Sequence, residues 1–432
     1  MKHPVYWFLI SSSLFASNSL GFAQAQEKTL TSADSYNGKT AGNQEFQPKT
    51  TTESDGTTYT CMGDVCIAYA GLGGGGLSSS CFTDSAGNLS FIGNGYTLCF
   101  DNITTQASHP GAISVSVDQK TLDVSGFSLF SCAYCPPGKT GYGAIQTKGN
   151  TTLKDNSSLI FHKNCSTAEG GAVQCKSTSS TAELKIENNK NLVFSENSSS
   201  TSGGAIYADK LTIISGGPTL FSNNSVSHAS APKGGAICIK DSGGECSLTA
   251  DLGDITFDGN KVIKTGDSSV KRNSIDLGSG GKFTKLNAKE GFGIFFYDPI
   301  TGGGSDALNI NKKDSVDYTG KIVFSGERLS DEEKAQADNL ASTFNQSITL
   351  SAGSLVLKDG VSVTAKQVTQ TAGSVVMDLG TTLQTPASDG EGITLTNLDI
   401  NVASLGGGGS LLLLLKSKQK PQVKLLQSRL LI

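Results

Sequence analysis

Asp254, Asp258 and Lys261 bring two carboxylates and an ammonium group within eight residues of chain. Paired carboxylates, or a carboxylate beside a cation, are what a polysaccharide-cleaving enzyme places on either side of a glycosidic bond. Acidic side chains beside turns serve equally well as solvated corners, and that is the reading adopted. The other candidates fail on spacing. Cys132-x-x-Cys135 is half of a zinc or redox motif, but no second pair and no βαβ pattern accompanies it. Gly71-Leu72-Gly73-Gly74-Gly75-Gly76 matches a dinucleotide fingerprint without the βαβ unit or the acid that would follow. Gly280-Gly281-Lys282-Phe283 lacks the hydroxyl residue of a phosphate loop, and Gly302-Gly303-Gly304-Ser305-Asp306 is a single copy of a calcium-roll pattern that needs many. The histidines available to an exported chain, His109, His162 and His228, make neither a metal cluster nor a triad, and no Gly-x-Ser-x-Gly elbow is present. No catalytic centre, metal or cofactor is expected. A β-helical polysaccharide-cleaving enzyme is the alternative to be tested.

What organises the chain is a pair of alternating motifs. Gly-Gly-Ala-aliphatic occurs at Gly170-Gly171-Ala172-Val173, Gly203-Gly204-Ala205-Ile206 and Gly234-Gly235-Ala236-Ile237, with a weaker copy ending Gly143-Ala144-Ile145. Phe-x-x-Asn occurs at Phe91/Asn94, Phe161/Asn164, Phe194/Asn197, Phe221/Asn224 and Phe257/Asn260. The glycines Gly143, Gly171, Gly204 and Gly235 lie 28, 33 and 31 residues apart, a period that marks a stacked solenoid. Glycine is abundant (52 of 432 residues) and long helical periodicity is nearly absent, so the fold class is all-β, a right-handed parallel β-helix. In such a coil, Gly-Gly permits a tight positive-φ corner, Ala fits where backbones crowd, and Val or Ile points inward. Phe would stack on Phe of the next coil, and Asn would satisfy corner backbone and form a ladder. These residues are therefore expected to be scaffold, with binding carried by the variable loops between them.

The start of the chain reads as an export signal. Lys2 is positive, Val5 to Phe15 is mostly apolar, and Ala23-Gln24-Ala25 is an A-x-A cleavage site, giving a signal peptide over residues 1–25 cut after Ala25. Ser11, Ser12 and Ser13 interrupt the run well short of the roughly 18 apolar residues of a membrane helix. The expected organisation continues with a loose polar leader over 26–60, the repeat β-helix over 61–265, a middle region of continued β-helix over 266–405 and a Lys/Leu-rich tail over 406–432. Within the middle region, Ser330-Asp331-Glu332-Glu333 reads as a capping box opening one short helical insertion over 331–344. Ten cysteines follow the signal: Cys61, Cys66, Cys81, Cys99, Cys132, Cys135, Cys165, Cys175, Cys238 and Cys246. An even number in an exported chain suggests disulfides, within the chain or to neighbours, with connectivity left open. The net charge is −4, and because residues 410–432 carry five basic residues and no acid, the rest stands at −9. An acidic body argues against nucleic acid as a partner.

Gly-Gly-Ala-[Ile/Val] interleaved with Phe-x-x-Asn behind a signal peptide resembles the polymorphic outer membrane proteins of Chlamydia across residues 1–405, including Ile294-Phe295-Phe296-Tyr297-Asp298-Pro299 and the stretch from Lys321 to Asn345. The resemblance implies an autotransporter, with a β-helical passenger carried to the cell surface by a C-terminal β-barrel. It further implies adhesion to a host-cell surface molecule, antigenic variation, and disulfide links to other outer-envelope proteins. Only 27 residues follow Leu405, and a membrane barrel needs about eight strands of about 9–11 residues each. The tail departs in composition at Gly406-Gly407-Gly408-Gly409, which a slippery guanine run can encode, so a frame shift with loss of the barrel is expected there. The rival, an amphipathic tail on anionic lipid, is interrupted by Pro421.

Overall fold

The computed structural model describes residues 25–36, 49–68, 79–103, 105, 109–133, 141–312, 318–386 and 391–401, and the backbone of strands at 414–416, 424–425 and 428–431. Residues 1–24 of the expected signal peptide, Cys135, the 71–76 glycine run and most of the tail lie outside the described residues.

Within each coil the apolar residues alternate, and that alternation builds the walls of a parallel β-helix. One coil runs through Thr151–Lys154, Leu159–His162, Cys165–Ser166 and Val173–Cys175, and the next begins at Glu183–Glu187. Repeating this path stacks four sheets of 16, 13, 9 and 5 strands, here called A, B, C and D, parallel except where Lys261–Lys264 meets Ser269–Arg272 in sheet D. Inward positions fill one shared core: Leu159 and Phe161 are buried while Ile160 and His162 face out. No single coil could bury such a core, so each depends on its neighbours. Sheets A and B run through the 265/266 boundary without a break, whereas sheet D ends at Ser269–Arg272 and sheet C at Ile300–Thr301.

The two motifs occupy the corners as expected, with sharper roles. Gly203 has φ +66°, while Gly204 is required for a different reason: a Cβ there would overlap the carbonyl oxygen of Gly235 in the next coil. Phe161, Phe194, Phe221, Phe257, Phe296 and Phe324 stand in register in sheet B. Their rings stack at centroid spacings of 4.7, 4.9, 4.9, 5.2 and 5.1 Å, all within 16° of parallel. Burying each ring contributes about 2–3 kcal/mol. After each Phe-x-x step the chain turns through a left-handed residue, Lys163, Glu196, Asn223 or Gly259. The buried asparagine that follows joins a ladder. Nδ2 of Asn164, Asn197 and Asn224 each donates to Oδ1 of the next asparagine at 2.9 Å. The second amide proton of Asn197 goes to Phe161 O at 3.0 Å.

The ladder ends on a carboxylate. Asn260 Nδ2 donates to Asp298 Oδ2 at 2.7 Å, Asn260 N to the same oxygen at 2.9 Å, and Gly259 N to Oδ1 at 3.1 Å. Arg272 Nε lies 2.9 Å from Asp298 Oδ1, as an ion contact rather than an aligned hydrogen bond. Burial pushes the Asp298 carboxyl up to about 6, against the pull of Arg272.

Three expectations need correction. Phe91 lies in sheet A, in register with Tyr59 and Val124, so Phe91/Asn94 copies the motif outside the phenylalanine stack. Asn94 is exposed there and makes a single bond, to Cys61 O at 3.2 Å. The leader is built into the stack: Gln26–Leu30 pairs with Thr57–Cys61, and Lys49–Thr51 with Phe82–Asp84, because a polar strand that buries a single residue, Leu30 or Thr51, still completes the backbone ladder. The helix expected over 331–344 is one turn, α1 (Asp331–Lys334), capped by Ser330 and Glu333, followed by a 3-10 turn at Ala337–Leu340. Ala341–Leu350 is instead a sheet A strand paired with Ser362–Gln370, since alternate burial of Ser342, Phe344, Gln346, Ile348 and Leu350 outweighs local helix propensity. In the tail, Leu414–Lys416 and Ser428–Leu431 extend sheets A and B in parallel.

Asn197→Ala would strand the Asn164 N–H, one Asn164 amide proton and one contact of Phe161 O, each costing about 1–3 kcal/mol when buried. Asn94→Ala should cost about 1 kcal/mol or less. Urea midpoints of the two variants check this, and equal losses would refute the ladder. A second expectation concerns pH. Asp298 is raised on folding, so the folded state holds its proton more tightly between about pH 4 and about 6, and its contribution to stability falls as pH rises through that window. Asp298→Asn extends the ladder and should flatten that part of a stability-against-pH curve; an unchanged slope would assign it to other groups.

Candidate contact face

Asp254, Asp258 and Lys261, weighed above as an acid–base cluster and set aside, make structural ties. Asp258 accepts Arg328 Nη1 at 2.8 Å and lies 3.4 Å from Arg272 Nη2. Asp254 Oδ1 accepts Gly293 N at 2.8 Å, and Lys261 Nζ lies 3.5 Å from Glu333. Lys271 pairs with Asp338 at 2.5 Å. The bonds of Asp258, Lys261 and Lys271 fasten residues 326–340 to sheets B and D. Among the described residues no group of three or more His, Cys, Asp or Glu side chains could hold a metal ion.

The cysteines divide by direction. Cys61, Cys81, Cys132, Cys165, Cys175, Cys238 and Cys246 are buried, Cys66 is exposed and Cys99 is half-buried, all nine as thiols. Burial pushes the Cys81, Cys132, Cys175, Cys238 and Cys246 thiols up, so they behave as apolar side chains and not as nucleophiles. His162 faces out from sheet B and shares a 2.8 Å hydrogen bond with Ser195 of the next coil. Ala172, Val173, Ala205, Ile206, Ala236 and Ile237 are core, as are Ala144 and Ile145 of the weaker copy. The motif residues reach no ligand surface.

An outward row on sheet B lies on the other side of the same strands. Ile160, Val193, Leu220, Thr256, Phe295, Val323, Val356 and Val376 are register partners in successive strands. All eight alternate along their strands with residues of the core cluster such as Phe161 and Phe324; seven are half-buried, and Val323 is buried. Seven of the eight are apolar, and an apolar outer row on a sheet is what a contact surface uses. At Phe295, Val323, Val356 and Val376 the row forms the floor of a groove of about 340 Å³. Tyr297, Ser325, Glu327 and Lys358 line one side, and Lys321 and Ser354 the other. Tyr297 lies nearly parallel to Phe295 (centroids 6.4 Å, 13°) and carries the Arg328 guanidinium 4.1 Å above its ring. Asp258 anchors that guanidinium, so the insertion walls the groove through the same ties. Chemically the groove offers an apolar floor, an aromatic wall and flanking cations.

Sequence reasoning looked for binding in the loops and passed over this row. A signal was there: Leu159-Ile160-Phe161, Leu192-Val193-Phe194, Ile322-Val323-Phe324 and Leu355-Val356-Leu357 are unbroken apolar triplets, and a strand apolar at three consecutive positions is apolar on both faces.

The family model described as the Chlamydia polymorphic membrane protein (Chlamydia_PMP) repeat matches residues 191–209 and 218–240, which hold the third Phe-x-x-Asn, the fourth, and two of the Gly-Gly-Ala corners. Among relatives, the chain is 42% identical to probable outer membrane protein pmp2 of Chlamydia pneumoniae, over 97% of this chain and 50% of that protein. It is 38% identical to probable outer membrane protein pmp10 of the same organism, over 94% of this chain and 54% of the relative. With probable outer membrane protein pmp12 it shares 35% identity over 87% of this chain and 73% of the relative. The chain thus spans about half the length of pmp2 and pmp10. No solved structure matches it significantly. Motif, stacked architecture and relatives agree, and the chain belongs to the Chlamydia polymorphic membrane protein family.

Proposed function

We propose that this chain is the contact-making β-helix of an exported outer-membrane surface protein, acting as adhesin and antigen toward a host-cell surface molecule and not as an enzyme. The observation that carries this reading is the apolar-floored groove on sheet B, with Phe295, Val323, Val356 and Val376 held at fixed spacing by the stack. A rigid row of outward apolar side chains beside cations suits a broad, shallow contact, in which a few buried anchors dominate the binding energy. The export signal and the surface location of the relatives' class are part of this reading.

Binding of the full chain to host epithelial cells, followed by flow cytometry, tests it. Phe295→Ser and Val356→Lys are expected to weaken binding about tenfold or more, as for central anchors, with melting unchanged. Thr152→Lys, on the outer face of sheet A, should leave binding intact. Binding indifferent to both groove variants would move the contact elsewhere. For the polysaccharide-cleaving alternative, Asp258→Ala discriminates. Its bonds to Arg272 and Arg328 make it a tie, so the variant should increase protease cleavage within 326–340. Reducing ends released from polysaccharide by the parent chain and lost in Asp258→Ala would overturn the contact reading.

A further inference from the structure

At its N-terminal end the outward row of sheet B changes chemistry. The positions that precede Ile160 in register are Cys66, Cys99 and Ser131. Cys66 and Cys99 are direct partners on adjacent parallel strands, Val65–Ala68 and Thr97–Asp101, and both side chains face out. Adjacent strands stand about 4.7–4.9 Å apart, inside the Cα separation of about 4.4–6.8 Å that a disulfide bridges. No other cysteine in the described strands has a cysteine as its register partner: Cys132 meets Phe100 and Phe161, Cys165 meets Ser198, Cys175 meets Thr147 and Ala208, and Cys246 meets Leu211.

We propose that Cys66 and Cys99 form a thiol–disulfide exchange site that closes into a disulfide across two coils when the chain meets an external disulfide, such as oxidised glutathione or an oxidised protein dithiol.

The surroundings favour the reaction. The Cys66 S–H and the Ser131 hydroxyl both donate toward Cys99 and hold its thiol low, while sharing its proton with Cys99 holds the Cys66 thiol high. Cys99 is then the attacking thiolate. It bonds to one sulfur of the external disulfide, and the other leaves as a thiolate that takes up a proton. Capping Cys99 removes the negative charge that kept the Cys66 proton in place. Cys66 loses that proton to solvent and attacks Cys99 Sγ, expelling the second external thiol. The two protein thiols are oxidised by two electrons, the external disulfide is reduced to two thiols, and the protons balance. The product staples the strand Val65–Ala68 to Thr97–Asp101 at the end of the stack, where a coil has the fewest neighbours.

The full-length chain, prepared reduced, is equilibrated with oxidised glutathione, acid-quenched, alkylated and cut before aspartate. The expected product is Asp64–Thr83 joined to Asp84–Phe100, with fragment ions placing the bond on Cys66. A bond on Cys81, Cys99 joined to any other cysteine, or both thiols alkylated would overturn the proposal. This mapping is done on the parent chain and so needs no variant to fold. Cys66→Ser should accumulate glutathione on Cys99, because no neighbouring thiol is left to resolve the mixed disulfide; a Cys99 that stays unmodified in that variant would overturn the assigned order of attack. Oxidation should raise the melting temperature of the parent and leave that of Cys66→Ser/Cys99→Ser unchanged.

Discussion

The coils of this protein stand one backbone hydrogen bond apart, and every other feature has to fit within that spacing. At 4.7–4.9 Å between strands there is room for a flat aromatic ring on another ring, for an amide on another amide, and for backbone on backbone only where no Cβ intervenes. Gly204 shows the third case, packed against the carbonyl of Gly235. The phenylalanine stack shows the first, with centroid spacings near the strand spacing itself. The asparagine ladder shows the second, where each side-chain amide donates both of its protons within the stack. Motif residues repeat because the spacing repeats.

A ladder of identical amides needs an ending, and the ending organises the rest of the molecule. Asp298 takes the last amide and adds a negative charge, which requires a cation. Arg272 supplies it and also faces Asp258 and Glu333. From there the ion pairs continue to Arg328, which covers Tyr297 and walls the groove. A corner inside the core is connected in this way, by contacts of under 4 Å, to a surface that can meet a partner. Burying such charges is a net gain only where each finds its partners, and here Asp298 accepts three hydrogen bonds beside the guanidinium.

The outer faces differ as much as the core is uniform. On sheet B one row begins with two thiols, runs through Ser131, is mostly apolar from Ile160 to Val376, and turns acidic at Asp399. The inward positions beside it are aromatic or aliphatic apart from Cys132 and Thr219. A solenoid separates these tasks because inward and outward residues alternate along each strand, so the surface can vary while the stack is kept.

By itself the sequence determined the stacked β architecture, the corner role of the Gly-Gly-Ala and Phe-x-x-Asn residues, and the capping box at Ser330. Each of these follows from local pattern: a period near 30, alternation within strands, and residue types that only certain backbone shapes accept. Register was decided by the tertiary structure. Phe91 and Phe194 sit in the same short motif yet fall in different sheets, because which coil wall a strand joins depends on the length of every turn before it. The same holds for Phe296 and Phe324, which complete the stack without the motif, and for Asp298, which replaces an asparagine at a shorter corner. The groove and the Cys66–Cys99 pair are assembled from residues about 20 to 40 positions apart on strands that touch only once the coils are wound. The helix expected over 331–344 stops after one turn, and Ala341–Leu350, rich in Ser, Thr, Phe and Ile, pairs on both sides in sheet A with alternate residues buried.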